Sequence, residues 1–268
     1  MTAIALTLAG SDSGGGAGIQ ADLKTFSALG VYGASVISAL TAQNTLGVTG
    51  IHDVPPDFVT LQADAVFSDL DIDALKIGML SKPEIIDAVA RIIDQHQPKA
   101  VVLDPVMVAE SGDPLIDDAA VQHLADTLFS RVTLITPNLH EAARLLQTDV
   151  AENNDAMERQ AEALLNLGAQ AVLLKGGHSN AVEACDVLAI RDEPIRWFCT
   201  PFIDTKNTHG TGCSLSSAIA AQLAKGDDVP TAVHAAKHWL SAAIAAADQL
   251  EIGQGAGPVH HFHALWNS

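Results

Sequence analysis

The sequence has few cysteines, and those it has are poorly spaced for cross-linking. Only Cys185, Cys199 and Cys213 occur in 268 residues, and no two of them form a C-x-x-C pair. An odd, scattered set of this kind argues against a disulfide scaffold and against a structural zinc site. It is typical of a protein that works in the reducing cytoplasm, which is where we expect this one.

Basic residues and long apolar runs are also scarce. The 14 lysines and arginines face 32 acidic residues, which leaves a formal net charge of −18. Such a surface repels nucleic acid and anionic membranes. No run reaches transmembrane length, and the amino-terminal segment lacks the basic start of a signal peptide. We predict neither a nucleic-acid nor a membrane partner, and a bound phosphate would need local N–H groups, a few cations and a metal ion.

What the sequence does contain is a regular alternation of strand-like and helix-like segments. Short apolar runs lie at residues 4–9, 35–40, 74–77, 101–103, 132–136 and 171–174, and most are separated by amphipathic segments. Residues 187–190 and 195–199 could pair as a hairpin around a charged turn. The alternation predicts a mainly parallel, doubly wound sheet. With 48% hydrophobic residues and no visible linker, residues 1–268 are expected to form a single domain.

Polar residues follow several of the predicted strands. They are Gly10, Gln43, Asp104, Asn138 and Lys175. Ligands of doubly wound sheets bind beyond the carboxyl ends of the strands. The sequence therefore predicts that these residues converge on one crevice.

Residues 207–213, Asn-Thr-His-Gly-Thr-Gly-Cys, directly precede an alanine-rich helix and are called the anion loop below. Gly210 and Gly212 would let consecutive N–H groups point one way and join the positive end of the helix dipole. Cys213 would lie in the first helical turn, where a thiol pKa falls from about 8.5 to roughly 3.5–7.5. A thiolate there could take a proton from an attacking hydroxyl. The alternative is a glycine turn followed by an inert, buried cysteine.

The anion loop resembles the corresponding motif of ribokinase-like kinases, which usually ends in aspartate. Cysteine in that place resembles the hydroxymethylpyrimidine and hydroxymethylpyrimidine-phosphate kinases of thiamine synthesis. Further blocks match in the same order along the chain, at residues 9–22, 41–45, 76–80, 104–107, 136–141 and 175–178. One departure is Glu110, where many relatives have lysine, which leaves open any charge contact made by that loop.

The resemblance implies a three-layer α/β/α sandwich and ATP-dependent phosphorylation of 4-amino-5-hydroxymethyl-2-methylpyrimidine and of its monophosphate. It also implies Mg²⁺ as a cofactor and a homodimer. Cys213 would be the general base. The backbone of Gly210, Thr211 and Gly212, together with Lys175, would stabilise the moving phosphoryl group, and Thr211 and Lys175 would also contact ATP.

Asn138 and Glu141 resemble the Asn-x-x-Glu motif of the same kinases. As carboxylates near strand ends, Asp104 and Glu141 could hold Mg²⁺, and Asn138 and Glu141 would help to bind ATP. The alternative is ordinary helix capping by Asn138 with a solvated Glu141.

Asp22 and Gln43 are predicted to recognise the substrate through hydrogen bonds. A glutamine amide offers a donor beside an acceptor, which complements the edge of an aminopyrimidine, and Asp22 could accept from the substrate hydroxyl. The alternatives are an exposed helix residue and a turn residue. By resemblance, Gly10, Met79 and Val106 are the remaining substrate contacts and add a backbone contact and apolar walls.

Three other features leave alternatives open. The glycine-rich residues 14–18 do not keep the spacing of a dinucleotide fingerprint, and the resemblance implies a mobile loop over the substrate. His209 is expected to orient the anion loop, and no metal site is expected at residues 260–263. A pyridoxal kinase and a non-catalytic binding protein on the same fold are the rival functions.

Overall fold

The structure is a computed structural model that describes residues 2–108, 116, 118–177 and 182–266. Glu110, named above, and His178, the last residue of the matching block at residues 175–178, lie outside this part of the chain. The strands are β1 (Ile4–Gly10), β2 (Tyr32–Asn44), β3 (Gly47–Asp53), β4 (Ala74–Ile77), β5 (Val101–Leu103), β6 (Leu134–Ile135), β7 (Ala171–Lys175), β8 (Glu183–Ile190) and β9 (Arg196–Pro201). The α-helices are α1 (Gly18–Ala28), α2 (Pro56–Phe67), α3 (Pro83–His96), α4 (Asp118–Leu128), α5 (Leu139–Leu146), α6 (Asn154–Asn166), α7 (Thr211–Ala224) and α8 (Val229–Ala245).

The nine described strands form one sheet in the order β3-β2-β1-β4-β5-β6-β7-β8-β9. The strands from β2 to β7 in this order pair in parallel, whereas β3, β8 and β9 pair antiparallel at the two edges. The mainly parallel sheet predicted from the alternation is confirmed. Its strand order reverses between β1 and β4, so a crevice is expected at their carboxyl ends.

The helices pack on the sheet through two separate apolar clusters. Alternate residues of a strand point to opposite faces, so Leu6 and Leu8 join the cluster with α2 to α6, whereas Ala5 joins the one with Phe26, α7 and α8. In α3 the apolar stripe at residues 85–93 is buried, as its helical spacing predicts. Among the described helices, none combines the length and apolarity needed to cross a membrane.

Three expectations about the strands need correction. The strand expected at residues 35–40 is β2, which runs on to Asn44, because β3 pairs with it as an antiparallel hairpin that we did not predict. The strand expected at residues 132–136 contains only Leu134 and Ile135. Gln43 therefore lies within β2 and not beyond its end.

The hairpin predicted near residues 187–199 is β8 and β9, and its cysteines correct a further expectation. Cys185 and Cys199 are directly opposite each other in the ladder and form a disulfide. Sequence spacing did not reveal this pair because strand register, not separation along the chain, brings the two residues together. Cys213 is free.

Candidate active site

A cavity of about 580 Å³ lies at the carboxyl ends of the parallel strands, where the strand order predicted a crevice. Its volume is within the range of small-ligand sites. All the predicted site residues except Asp22 line it: Gly10, Gln43, Met79, Asp104, Val106, Asn138, Glu141, Lys175, Gly210, Thr211, Gly212 and Cys213. The structure therefore brings together groups that lie more than 200 residues apart in the chain.

The anion loop requires glycine at Gly210, and Gly212 lies beside the charged groups of the cavity. Gly210 is the N-cap of α7 and has a φ of 81°, and a side chain there would collide with the carbonyl of Gly16. At Gly212 a β-carbon would lie 3.4 Å from Lys175 Nζ and 3.6 Å from Asp104 Oδ2. Glycine thus keeps the start of α7 open toward the charged groups of the cavity.

Cys213 lies in the first turn of α7, as predicted, but its acidity differs from the prediction. The pKa of the thiol is raised to about 11, chiefly because the thiol is buried; Asp22 and Asp104 also act to raise it, while Lys76 and the N–H of Gly18 act in the opposite direction. The predicted lowering of this pKa is wrong for the protein as it stands. Desolvation and two carboxylates outweigh the field of the helix terminus.

Asp104 is the buried carboxylate that connects three elements of the site. Its Oδ1 accepts hydrogen bonds of 3.1 Å from Lys175 Nζ and from the Thr136 hydroxyl, and its Oδ2 accepts one of 3.3 Å from Ser216 on α7. Burial acts to lower the pKa of Lys175, but Asp104 and Glu141 outweigh it and raise that pKa. Lys175 is therefore a permanent cation at the end of β7.

Asn138 and Glu141 form a complete capping box at the start of α5. The N–H of Glu141 donates to Asn138 Oδ1 at 2.9 Å, and the N–H of Asn138 donates to Glu141 Oε2 at 2.7 Å. The capping alternative is thus present, but Glu141 is only 7% exposed and lines the cavity. The Glu141 carboxylate therefore caps helix α5 and also lines the cavity.

The electrostatics of this pair suit a cation. The pKa of Glu141 is raised to about 7, chiefly by burial and with a contribution from the charge of Asp104, while Lys175 acts in the opposite direction. Two buried carboxylates that repel each other offer the oxygen ligands that Mg²⁺ prefers, and a divalent cation would relieve the repulsion. The residues present therefore fit a magnesium ion.

A second carboxylate, Asp12, orders the glycine-rich residues 13–18, called the glycine loop below. Its side chain accepts from the N–H groups of Gly14, Gly16 and Ala17 at 2.8–3.0 Å, and His209 Nε2–H donates to it at 2.8 Å. Burial acts to raise the pKa of Asp12, but these bonds outweigh it and lower the pKa to about 2. The family resemblance implied that this loop is mobile, but in the structure Asp12 binds it through three backbone N–H groups.

Asp12 and His209 therefore fasten the glycine loop to the anion loop, and the pair is called the clasp below. The carboxyl-terminal segment supports the same place. The N–H of His209 donates to the Gly257 carbonyl at 3.1 Å, the N–H of Gly257 donates to Asn207 Oδ1 at 3.1 Å, and His261 shares a 2.9 Å hydrogen bond with Ser214. His209 orients the loop, as expected from its position beside Gly210.

The predicted pyrimidine contacts surround the other end of the cavity. Gly10 packs closely against Met79, because a β-carbon at Gly10 would meet the terminal methyl group of Met79, which would have to move. The Thr41 hydroxyl donates to Gln43 Oε1 at 3.3 Å, and the backbone of Gln43 is bonded to Ser13 of the glycine loop. The side chain amide of Gln43 is thus presented beside an apolar wall, with Val106 also on the lining.

Asp22 is the predicted site residue that the structure places elsewhere. Its side chain is fully buried behind the cavity wall, and its oxygens accept from Lys76, Thr7 and Ser217. The predicted direct contact with the substrate is therefore not the geometry that we observe. The ammonium of Lys76 on strand β4 holds the carboxylate of Asp22 in the protein interior.

Sequence reasoning missed the two buried lysines that line the cavity. Lys76 pairs with Asp22 at 2.8 Å, and Lys237 pairs with Asp186 at 2.6 Å. A signal was available for Lys76, because it is a single charge inside the otherwise apolar strand β4. Lys237 lies on α8, where nothing local distinguishes it from a solvated lysine.

The chain matches known proteins over nearly all its length. The family model described as phosphomethylpyrimidine kinase matches residues 12–260. A hydroxymethylpyrimidine/phosphomethylpyrimidine kinase of Rhizobium meliloti (strain 1021) is 58% identical over 99% of both chains, and that of Escherichia coli (strain K12) is 54% identical over 98% of both. The crystal structure of a Bacillus subtilis pyridoxal kinase in complex with ADP superimposes with a TM-score of 0.91 at 37% identity, covering 100% of both chains.

Proposed function

Because the chain belongs to the phosphomethylpyrimidine kinase family, we propose that it transfers the terminal phosphate of ATP to hydroxymethylpyrimidine and then to the resulting monophosphate, in thiamine biosynthesis. The observation that carries this proposal is the cavity itself. It places a thiol, a lysine and a helix N-terminus beside a glutamine amide with an apolar wall. These are the groups that phosphoryl transfer to an aminopyrimidine alcohol requires.

Gln43, Gly10, Met79 and Val106 hold the pyrimidine ring. The Gln43 amide pairs with the ring amino group and the adjacent ring nitrogen, which leaves the hydroxymethyl group directed toward the anion loop. Substrates without that donor and acceptor edge leave the amide unpaired, so the contact supplies selectivity.

The transfer itself uses the start of α7. Cys213 takes the proton of the substrate hydroxyl in its thiolate form, which is a minor form below the raised pKa but a strong base, while the hydroxyl oxygen forms its bond to the γ-phosphorus. The bond from that phosphorus to the bridging oxygen breaks, and its electron pair leaves with ADP. The N–H groups at the start of α7 and the ammonium of Lys175 stabilise the charge on the moving group.

Asp104 and Glu141 would hold Mg²⁺, which when bound neutralises charge on the phosphate oxygens. Asn138, Thr211 and Lys175 contact the ATP phosphates near it. The apolar part of the cavity, lined by Phe202, Ile203, Leu240 and Ile244, is the place for adenine.

One site performs both phosphorylations. The described residues contain a single cavity with an anion loop, so the monophosphate must return to the same place with its phosphate beside Cys213. The structure complicates the second step: residues 14–18 are bonded to Asp12, so we place the shift in the substrate and not in that loop.

Phosphorus NMR tests this proposal, with the reaction started separately from the alcohol and from the monophosphate. We expect diphosphate from both starts. Monophosphate alone, from either start, would overturn the two-step function. A matched control is Lys225→Ala, an exposed lysine beyond the end of α7, which should leave both steps unchanged.

Pyridoxal is a second candidate acceptor, because the Bacillus subtilis pyridoxal kinase shares this fold at 37% identity. Coupled ADP release with either ring as acceptor separates the two activities. We expect faster release with the pyrimidine, because Gln43 matches its amino group. Release with neither ring would favour a binding protein.

The remaining proposals concern the setting of the enzyme. We place residues 1–268 in one three-layer domain that works in the cytoplasm. A homodimer would cover the exposed apolar side chains Tyr32, Leu40, Leu46 and Ile51 on β2, on β3 and in the turn between them. Light scattering of the wild type and of Leu40→Lys tests the dimer.

A further inference from the structure

Lys76 is a buried charge for which the mechanism above gives no role. It is fully buried on the central strand β4 and yet lines the cavity. Its ammonium lies 2.8 and 2.9 Å from the two oxygens of Asp22. A buried ion pair costs desolvation and is weak evidence for a stabilising role, so its position suggests another use.

Asp22 is fixed from two more directions. The Thr7 hydroxyl donates to Oδ2 and the Ser217 hydroxyl donates to Oδ1, each at 2.6 Å. Ser217 lies four residues after Cys213 on α7, so the two side chains occupy the same face of the helix one turn apart. The ion pair therefore lies directly beneath the turn that carries the proposed base.

Four charged groups act on Cys213 from the surrounding elements: Lys76 on β4, Asp22 on α1, Asp104 after β5 and Lys175 on β7. Lys76 is the strongest of the charges that favour a negative sulfur. Without it, two carboxylates would face one remaining lysine. Lys76 itself stays charged, because Asp22, Cys213 and Asp104 outweigh the effect of burial and raise its pKa.

We propose that Lys76 is a positioning residue of the phosphoryl transfer: its ammonium stabilises the negative charge on Cys213, and Asp22 holds the ammonium in place. The inference rests on the proposed role of Cys213 as the base. Asp22 would thus contribute to the reaction by holding Lys76, and not by the substrate contact that the sequence predicted. Asp22 also weakens the stabilisation that Lys76 provides, because the negative charge of Asp22 repels the thiolate.

The test measures the reactivity of Cys213 directly. The rate of its alkylation by iodoacetamide is followed from pH 7 to 11 by mass spectrometry of the peptide that contains it. We expect Lys76→Met to slow alkylation at pH 8 about tenfold, because an opposite charge nearby shifts a pKa by one unit or more. The kcat of the first phosphorylation should fall about as much at that pH, with smaller changes in KM.

Asp22→Asn sharpens the test, because it breaks the same ion pair from the other side. It should accelerate alkylation at pH 8, whereas loss of a merely structural link would move both variants in one direction. The matched control is Lys237→Met, which removes the other buried lysine of the cavity and should leave the alkylation profile unchanged.

Where Lys76→Met alone does not fold, the double variant Lys76→Met/Asp22→Asn leaves no unpaired buried charge and permits the same measurement. An unchanged profile in Lys76→Met or in this double variant relative to Asp22→Asn alone overturns the inference. So does an equal shift in Lys237→Met. Full kcat in Cys213→Ala would instead overturn the proposed base, which the alkylation profiles do not test.

Discussion

The clasp and the pair of Asp104 and Glu141 line the same cavity, but the carboxyl pKa is lowered in the clasp and raised in the pair. In the clasp, three backbone N–H groups and His209 surround Asp12 and lower its pKa to about 2. In the pair formed by Asp104 and Glu141, burial and mutual repulsion raise the pKa of Glu141 to about 7. The clasp satisfies its charge within the protein, whereas the pair has an excess of negative charge.

This difference separates structure from function within one site. A carboxylate whose hydrogen bonds are all supplied by the fold contributes to stability. A carboxylate held beside another in a cavity is destabilised until a ligand arrives, and such perturbed groups concentrate at functional sites. The clasp should therefore control stability, and the pair should control ligand binding and catalysis.

The largest expected effect lies at Cys213, which belongs to neither cluster. Cys213→Ala should lower the kcat of the first phosphorylation about 10²–10⁴-fold, as expected for loss of a general base. Binding of both ligands should hardly change in calorimetry. The second step should suffer less, because a phosphate acceptor is already an anion. Near wild-type kcat would exclude the thiolate mechanism, and equal losses in both steps would exclude only the argument about acceptor charge.

The next prediction tests the comparison itself, with two isosteric substitutions. Asp12→Asn should reduce the free energy of unfolding by about 3 kcal/mol, because the clasp loses a buried, fully bonded charge. Asp104→Asn should cost clearly less, because it removes the repulsion of Glu141 and leaves Glu141 as the counter-charge of Lys175, yet it should abolish most activity. Urea unfolding and ADP release give the two quantities. If Asp104→Asn is the less stable variant, the assignment of roles is reversed.

The pyrimidine end of the cavity should respond in affinity alone. Gln43→Leu is similar in volume but leaves the ring amino group and nitrogen unpaired, so pyrimidine binding should weaken by roughly 1–3 kcal/mol. The Kd for ATP should stay the same. Calorimetry with each ligand measures both, and an unchanged pyrimidine affinity would place the ring in another part of the cavity.

The smallest effect is the pH dependence of magnesium binding. Glu141 has a pKa of about 7, so it carries a proton below pH 7 that the cation must displace. Mg²⁺ affinity should therefore rise from pH 6 to pH 8, by up to about tenfold, since one unit of pKa corresponds to a factor of ten. Calorimetric titration at both values checks this. The dependence should disappear in Glu141→Gln, and a decrease in affinity at pH 8 would contradict the model of the pair.

The local pattern of the sequence predicted most of the fold, and the strand ends together with the family resemblance predicted the list of residues in the cavity. The sequence could not show which charged side chains meet in space when they come from different elements of the fold. Asp22 was predicted to accept a hydrogen bond from the substrate hydroxyl, but its carboxylate pairs with Lys76 on strand β4 and is held inward. The acidity of Cys213 was mispredicted for the same reason, since two distant carboxylates and burial outweigh the helix terminus that precedes it.

The bonds between the anion loop and residue Gly257 also set an order of events during synthesis. Asn207 and Gly257 are 50 residues apart, and Gly257 has no space for a side chain against the Asn207 amide. A ribosome therefore completes the helix that carries Cys213 well before it delivers the segment that anchors the preceding loop. Until then the nascent chain lacks this support for its phosphate-binding turn, so the active site is completed only after the segment around Gly257 has been synthesised.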